Sequence, residues 1–297
     1  MLHIPVLTKE VLELLDPKEN ENFIDCTVGQ GGHTVLILEK NKPNGKVLGI
    51  DLDPDQIESC KLIIKDSRLI LVNDSYANLK EIIERNNFGP VSGILLDLGM
   101  SSAQLEGTQK GFSFQKDETL DMRYSTAQTL TAKIIVNEYS KEELEKILQE
   151  YGEERFARKI AEKIIEGRKI KRIESTLQLV EIIKKAGYPL AGRSRFSHSK
   201  IHCATRTFQA LRIAVNDELE NLKSVLPQAV SILSSGGRIV VISFHSLEDR
   251  IVKNFFKEKD KEGVIKILTK KPLMAEDGEL ILNPRSRSAK LRALIKT

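Results

Sequence analysis

Two short stretches hold most of the side chains able to do chemistry. The first reads Asp25-Cys-Thr-Val-Gly29-Gln-Gly31-Gly32-His33 and runs into an apolar helical segment with Val35, Leu36 and Leu38. Lys46-Val-Leu-Gly-Ile-Asp51-Leu-Asp53 follows. This is strand, glycine-rich turn, helix, strand, acid, a unit suited to an adenosine-containing cofactor. Glycine lets the backbone approach the ligand, and the acid closing the next strand takes the ribose hydroxyls. Asp51 stands 20 residues after Gly31, the expected offset. A dinucleotide fingerprint would need glycine at position 34, where this chain has Thr34, and no basic phosphate clamp follows. The turn therefore points away from a nicotinamide dinucleotide and towards S-adenosylmethionine, which has no pyrophosphate. His33 opens the helix, where the positive end of the macrodipole disfavours an imidazolium, so it reads as a cofactor contact rather than a base.

The second stretch is Val91-Ser-Gly-Ile-Leu-Leu-Asp97, a strand ending in a carboxylate. Ligands of open α/β sheets sit at the carboxyl ends of the strands. A carboxylate buried there is costly unless paired, which favours a functional role for Asp97. It can bind cofactor or accept a hydrogen bond from a target amine. Tyr76, after Asp74-Ser75 at the same edge, either covers an adenine or packs. Ser243-Phe-His245 ends a further strand, but Gly-x-Ser-x-Gly is missing and strand alternation puts Ser243 and His245 on one face. A serine hydrolase is thereby disfavoured. His245 reads as a substrate contact or a satisfied structural group.

Strands and helices alternate through residue 97, which predicts right-handed crossovers and a parallel sheet. Helices are expected over Thr8–Leu15, 32–40, 54–65 and 77–86, and strands over 22–27, 46–51, 68–73 and 91–97. After a loop-like stretch, about 129–186 is helical throughout, with a capping box at Ser140 and Glu143 and helices over 153–166 and 176–185. Residues 187–199 read as a return linker. One long helix is expected from Thr205 to Ser234, bent at Pro227, then a strand over 238–244. A helix capped by Ser246 follows, and an antiparallel pair over 264–269 and 289–295 ends the chain.

The 297 residues are 40% hydrophobic and 30% charged, enough for a large domain with a companion. No apolar run is long enough to span a membrane, and the N-terminus lacks a signal-peptide plan. Cys26, Cys60 and Cys203 have no metal-ligand spacing and read as reduced thiols of a cytoplasmic protein. Net charge is only +4, but Tyr151 to Arg212 holds fifteen basic and six acidic residues, leaving −5 for the rest. The tail from Asn283 is basic and carries no acid. Two basic segments on an acidic background suggest a nucleic-acid partner. Arg206, Arg212, Arg285 and Arg287 are the candidates for phosphate. For Arg206 and Arg212 the competing reading is an ion pair with Asp217, Glu218 or Glu220.

The motifs become specific when read in order. They are His3-Ile-Pro-Val-Leu7, Gly29-x-Gly-Gly-His33, Asp51-Leu-Asp-Pro54, Asp97-Leu-Gly-Met-Ser-Ser102 with Gln104, and Gly111-Phe-Ser-Phe114. Leu120-Asp-Met-Arg123, Tyr151-Gly-Glu-Glu-Arg155, His202 to Arg212, Val215-Asn216, Ser243 to Arg250 and Asn283 to Arg292 complete the set. Over nearly its whole length the chain resembles the MraW/RsmH family of bacterial 16S rRNA (cytidine-N4)-methyltransferases.

The resemblance implies a class I S-adenosylmethionine-dependent methyltransferase, a Rossmann-like α/β fold with a seven-stranded, mostly parallel sheet, in residues 1–106 and 200–297. Residues 107–199 would be an inserted all-helical domain that recognises RNA. The implied reaction is N4-methylation of a cytidine in the decoding region, on free rRNA or the small ribosomal subunit, by a monomer or a dimer. Implied cofactor contacts are Gly31, Gly32, His33, Asp51, Tyr76, Asp97 and Gln104. Asp97, with Ser101 or Ser102, would accept from the amine, and His245 would help. Cys203 and Met100 stand where the family usually has proline and valine. Asp97-Leu-Gly-Met also replaces the Asp-Pro-Pro-Tyr of many amino-methyltransferases, so the amine must be held differently. Two other readings stay open: methylation of another amine, or an RNA-binding assembly factor that retains a cofactor-shaped pocket.

Overall fold

The structure is a computed structural model that describes residues 5–101, 104–105, 109–186 and 202–297. The chain forms two compact units, Met1–Gly99 with Leu219–Thr297, and Met100–Glu218.

The first unit is built on a seven-stranded sheet of order β3-β2-β1-β4-β5-β7-β6. Its strands are β1 (Phe23–Asp25), β2 (Val47–Asp51), β3 (Leu69–Asn73), β4 (Val91–Asp97), β5 (Leu233–Ser243), β6 (Ile265–Ile267) and β7 (Lys290–Lys296). β1 to β5 run parallel, and β7 is antiparallel to both β5 and β6. The expected final antiparallel pair is therefore present. Central strands such as Val91–Asp97 are apolar almost without alternation because both faces are covered. On one face α4 (Leu79–Arg85), α10 (Glu218–Ile232) and α11 (Ser246–Lys261) pack Ile82, Leu226 and Phe256 against Ile24, Leu48 and Val241. On the other, α1 (Thr8–Leu15) and α2 (Gly32–Lys40) set Leu15 and Ile37 against Phe23, Val47 and Leu95. α3 (Pro54–Ile63) starts on Asp53, whose carboxylate accepts the Asp55 N–H, with Pro54 at the first helical position.

The strand order sets the site. β2, β1 and β4 are adjacent, and each closes on an aspartate: Asp51, Asp25 and Asp97. Three carboxyls thus line neighbouring strand ends.

The second unit is helical: α5 (Ala132–Glu138), α6 (Lys141–Glu150), α7 (Ala157–Ile170), α8 (Thr176–Lys184) and α9 (Thr205–Asn216). Its core joins Leu144, Leu148, Ile160, Ile164, Leu179, Phe208 and Leu211. The Ser140–Glu143 capping box forms as expected. The unit is longer than the expected 107–199 because α9 contributes Phe208, Leu211 and Val215 to that core. The helix expected over 153–166 starts instead at Ala157, since Glu153 adopts a left-handed φ of 47°. The single long helix expected from Thr205 to Ser234 is two. Asp217 takes a left-handed φ of 51° and ends α9 by donating its N–H to Ile213 O. Near the C-terminus, α12 (Asp277–Leu282) and a 3-10 turn over Pro284–Ser288 add elements that residue patterning does not predict. The 187–199 linker lies outside the described residues.

Candidate active site

Asp51 is held by two backbone amides. Its Oδ2 accepts the Gly29 N–H at 2.9 Å and its Oδ1 accepts the Asp53 N–H at 2.9 Å. Burial pushes its carboxyl up to about 7, against the downward pull of those two amides and with the Asp53 and Asp25 charges adding to the rise. Each oxygen keeps a lone pair for a further donor. That is the arrangement a ribose diol requires.

The glycine turn divides its labour. Gly29 has a φ of 50°, and the nearest atoms to a Cβ built there are 3.9 Å away, so its outer face is open. At Gly31, φ 85°, a Cβ would collide with Ile64 and lie 3.0 Å from Cys60 Sγ. At Gly32 it would meet Pro5 at 3.0 Å. The last two glycines are thus required by the chain's own packing, whereas Gly29 alone keeps its outer face clear.

His33, the second residue of α2, is 6% exposed, and its Nε2 lies 3.5 Å from Asp97 Oδ2. Neither ring nitrogen has a hydrogen-bond partner, and Asp97 Oδ1 is likewise buried and unpartnered. Buried polar atoms are bonded in the great majority of cases, so this cluster is shaped for a group the protein itself does not supply. Asp97 is placed by its backbone: its N–H donates to Thr27 Oγ1 at 2.7 Å, and Leu98 N donates to Ile242 O.

Asp25, 1% exposed, completes the group. Its Oδ2 accepts the Thr34 hydroxyl at 2.7 Å and its Oδ1 the Thr27 N–H at 3.1 Å. Burial raises its carboxyl, while His33 and those two donors pull it back down and Asp97 adds to the rise. These neighbours correct the weight given to the helix end at His33. A carboxylate about 4 Å away is worth ~4 kcal/mol at an effective dielectric of 20. A helix end is worth only ~0.3–1 kcal/mol. The site as a whole therefore attracts a cation. Asp25 and Thr34 belong to the site although the sequence does not single them out. Asp25 carries the same signal as Asp97, an acid closing an apolar strand, and Thr34 stands out in the sequence only as a missing glycine.

His245 is the N-cap of α11 in place of Ser246. Its Nδ1 accepts the Glu248 N–H at 3.4 Å, and Glu248 Oε2 accepts the N–H groups of Phe244 and His245 at 2.8 and 3.2 Å. Its Nε2 lies 3.2 Å from Glu248 Oε1. The Nδ1 side of the ring therefore holds the β5–α11 turn, while Nε2 is buried without a hydrogen-bond partner. Tyr76 begins a 3-10 turn and packs half-buried against the sheet core.

In the helical unit, Ser101 N donates to Gln104 Oε1 at 3.0 Å and Gln104 N to Ser101 Oγ at 3.2 Å, a reciprocal lock. Ser102 lies outside the described residues. Arg212 forms a bidentate pair with Glu218 at 2.8 and 2.9 Å, the ion-pair alternative expected for it. Arg206 donates to Glu153 O at 3.1 Å. In the sheet unit Arg287 is exposed and Arg285 half-buried.

The profile of the MraW methylase family matches residues 1–297. Proteins named ribosomal RNA small subunit methyltransferase H are similar over almost the full chain. The one from Dehalococcoides mccartyi is 46% identical over 307 residues, covering 98% of this chain and 85% of its own. Those from Sulfurihydrogenibium sp. and Halothermothrix orenii are each 47% identical, covering 98% of this chain and 97% of theirs. Among solved structures, an rRNA methylase from Streptococcus thermophilus aligns at a TM-score of 0.45 and 10% identity, covering 97% of this chain and 93% of that one. At that distance the assignment rests on the sequence match, and by that match the chain belongs to the MraW methylase family.

Proposed function

We propose that this chain transfers a methyl group from S-adenosylmethionine to the N4 amine of one cytidine in the decoding region of 16S rRNA, in the cytoplasm. The carrying observation is the row of aspartates at the ends of β2, β1 and β4, with Asp97 Oδ1 and both His33 nitrogens buried and unpartnered. The residues fit an adenosyl sulfonium. Asp51 offers two lone pairs to a diol, Gly29 leaves the approach clear, and the carboxyls attract positive charge. The relatives' shared name supplies the substrate class, and the charge of the helical segment agrees with it.

S-adenosylmethionine supplies an electrophilic methyl group on a cationic sulfur. The cytosine amine is a poor nucleophile because its lone pair is delocalised into the ring. Asp97 accepts an N–H of the amine, which localises that lone pair and aims it at the methyl. Ser101 and Ser102 follow Asp97 closely in the chain and are the candidates for the second N–H; Ser101 itself is locked to Gln104. The cytidine must leave its stack to be reached. In the helical unit Arg206 and the exposed Arg155, Lys169, Lys171 and Lys185 are the candidates for phosphate, and in the tail Arg287 and Arg285.

Replacing Asp97 with Ala removes the acceptor and leaves the backbone anchor at Thr27 intact. Methyl transfer to small subunits is expected to fall by about a thousandfold or more, with circular dichroism and melting unchanged. Turnover within a few-fold of the parent would reject the role.

A further inference from the structure

We infer that His33 is the terminal acceptor of the proton that the target amine must lose, with Asp97 passing the proton and Asp25 facing the charge that results. The inference deepens the methyl-transfer reading and rests on it.

The geometry is that of a relay. Asp97 Oδ1 is the buried, unpartnered end, and Oδ2 of the same carboxylate stands 3.5 Å from His33 Nε2. That gap closes to a hydrogen bond when a substrate seats, as contacts in unliganded catalytic sites commonly do. Behind the ring, Asp25 is fixed by the Thr34 hydroxyl and the Thr27 amide. The same Thr27 accepts the Asp97 N–H through its hydroxyl. One threonine therefore sets the spacing of both carboxylates around the imidazole. His245, the other histidine at this edge, has its Nδ1 taken by the Glu248 N–H.

The step balances without another reactant. The N4 lone pair forms the new N–C bond while the C–S bond of the sulfonium breaks and leaves its electron pair on sulfur. The methylated nitrogen then holds one proton in excess. That proton passes to Asp97 and from Asp97 to His33, so the positive charge leaves sulfur and arrives on the imidazole. It is released to water as product departs.

Among the described residues, the titratable groups facing His33 are Asp97 of β4 and Asp25 of β1. Asp51 of β2, coupled to Asp25, stands one strand further away. Cys26 follows Asp25 as a thiol that burial keeps protonated. α2 carries no acid until Glu39.

The test is His33→Asn, which keeps a polar side chain but accepts no proton, with Asp25→Asn beside it. Calorimetry with S-adenosylhomocysteine reads binding, and single-turnover transfer to small subunits across pH reads the chemistry. At saturating cofactor, where any loss of binding is made good, the His33→Asn rate is expected to fall by ~10²–10⁴. Under the same saturation the decline of that rate on acidification should vanish, leaving only the weakening of binding set by Asp51. In Asp25→Asn the single-turnover rate should fall, because the carboxylate facing the imidazolium is gone. A loss of binding that accounts for the loss of rate, or an acid limb unchanged in His33→Asn, would overturn the relay. Nitrogen NMR of the ring in the unliganded protein at one fixed pH is independent of substrate: the Nε2 resonance should move in Asp97→Asn. An unmoved resonance overturns the pairing whatever the substrate. A parent that binds the cofactor but methylates nothing in the small subunit overturns instead the reading on which the proton's source depends.

Discussion

Asp51 lies between two backbone amides that favour its charge and a burial that opposes it, and burial prevails, with the carboxyl pushed up to about 7. Only the ionised carboxylate has lone pairs for both ribose hydroxyls, so cofactor binding favours loss of that proton. Affinity should level off above pH 7 and weaken by up to about tenfold per unit below it. For the fold the same shift acts in the opposite direction. An unfolded aspartate ionises near 3.8, so between that value and about 7 the folded protein retains a proton that the unfolded chain has lost. This group's contribution therefore makes the fold less stable as pH rises through that window. Calorimetric titration with S-adenosylmethionine at several pH values checks the binding prediction. Asp51→Asn should bind more weakly and lose the pH dependence; a parent whose affinity is flat between pH 5 and 8 contradicts it.

At the scale of elements, the turn from β5 into α11 hangs on one side chain. Glu248 is 3% exposed and accepts two backbone N–H groups while its own N–H is capped by His245. Glu248→Ala leaves buried donors without acceptors and should cost about 2–4 kcal/mol in urea denaturation. A cost below about 1 kcal/mol would show that the turn is held otherwise. This turn also illustrates what a sequence reveals. The strand, the helix and a capping residue are legible from alternation and residue type, but Ser246 is the better capping residue by propensity. Only the spacing of Glu248, three residues after His245, identifies the true cap. The break at Asp217 is only faintly legible: Asn216-Asp217 are residue types that tolerate the left-handed region, but the bond that holds Asn216 to Met122 O is tertiary. At the site, the Asp51 and Asp97 positions can be read because strand ends are simple to locate. The partnership of Asp25, Thr27 and Thr34 cannot, because it depends on β1 lying between β2 and β4.

Over the whole molecule, charge separates residues that hold the fold from residues free to meet RNA. Arg212 is spent on Glu218, with only 12% and 9% of their side chains exposed, so Arg212→Ala should act on stability. Lys169, Lys171 and Lys185 are exposed. Replacing them with Ala should weaken binding to rRNA and flatten its salt dependence, by about 0.7–0.9 in the slope of log K against log salt for each phosphate no longer neutralised. Filter binding at several salt concentrations reads this. A parent affinity indifferent to salt would leave the basic segment without the partner assigned to it. Among the described residues no helix is long and apolar enough to cross a membrane.

If one pocket built on three aspartates methylates one base, mass mapping of 16S rRNA from cells lacking this chain, with the parent and Asp97→Ala proteins returned on plasmids, reads it out. The expected result is a single cytidine of the decoding region without its N4 methyl, restored by the parent and not by the variant. An unaltered methylation pattern in the deleted strain, or restoration by Asp97→Ala, would contradict it.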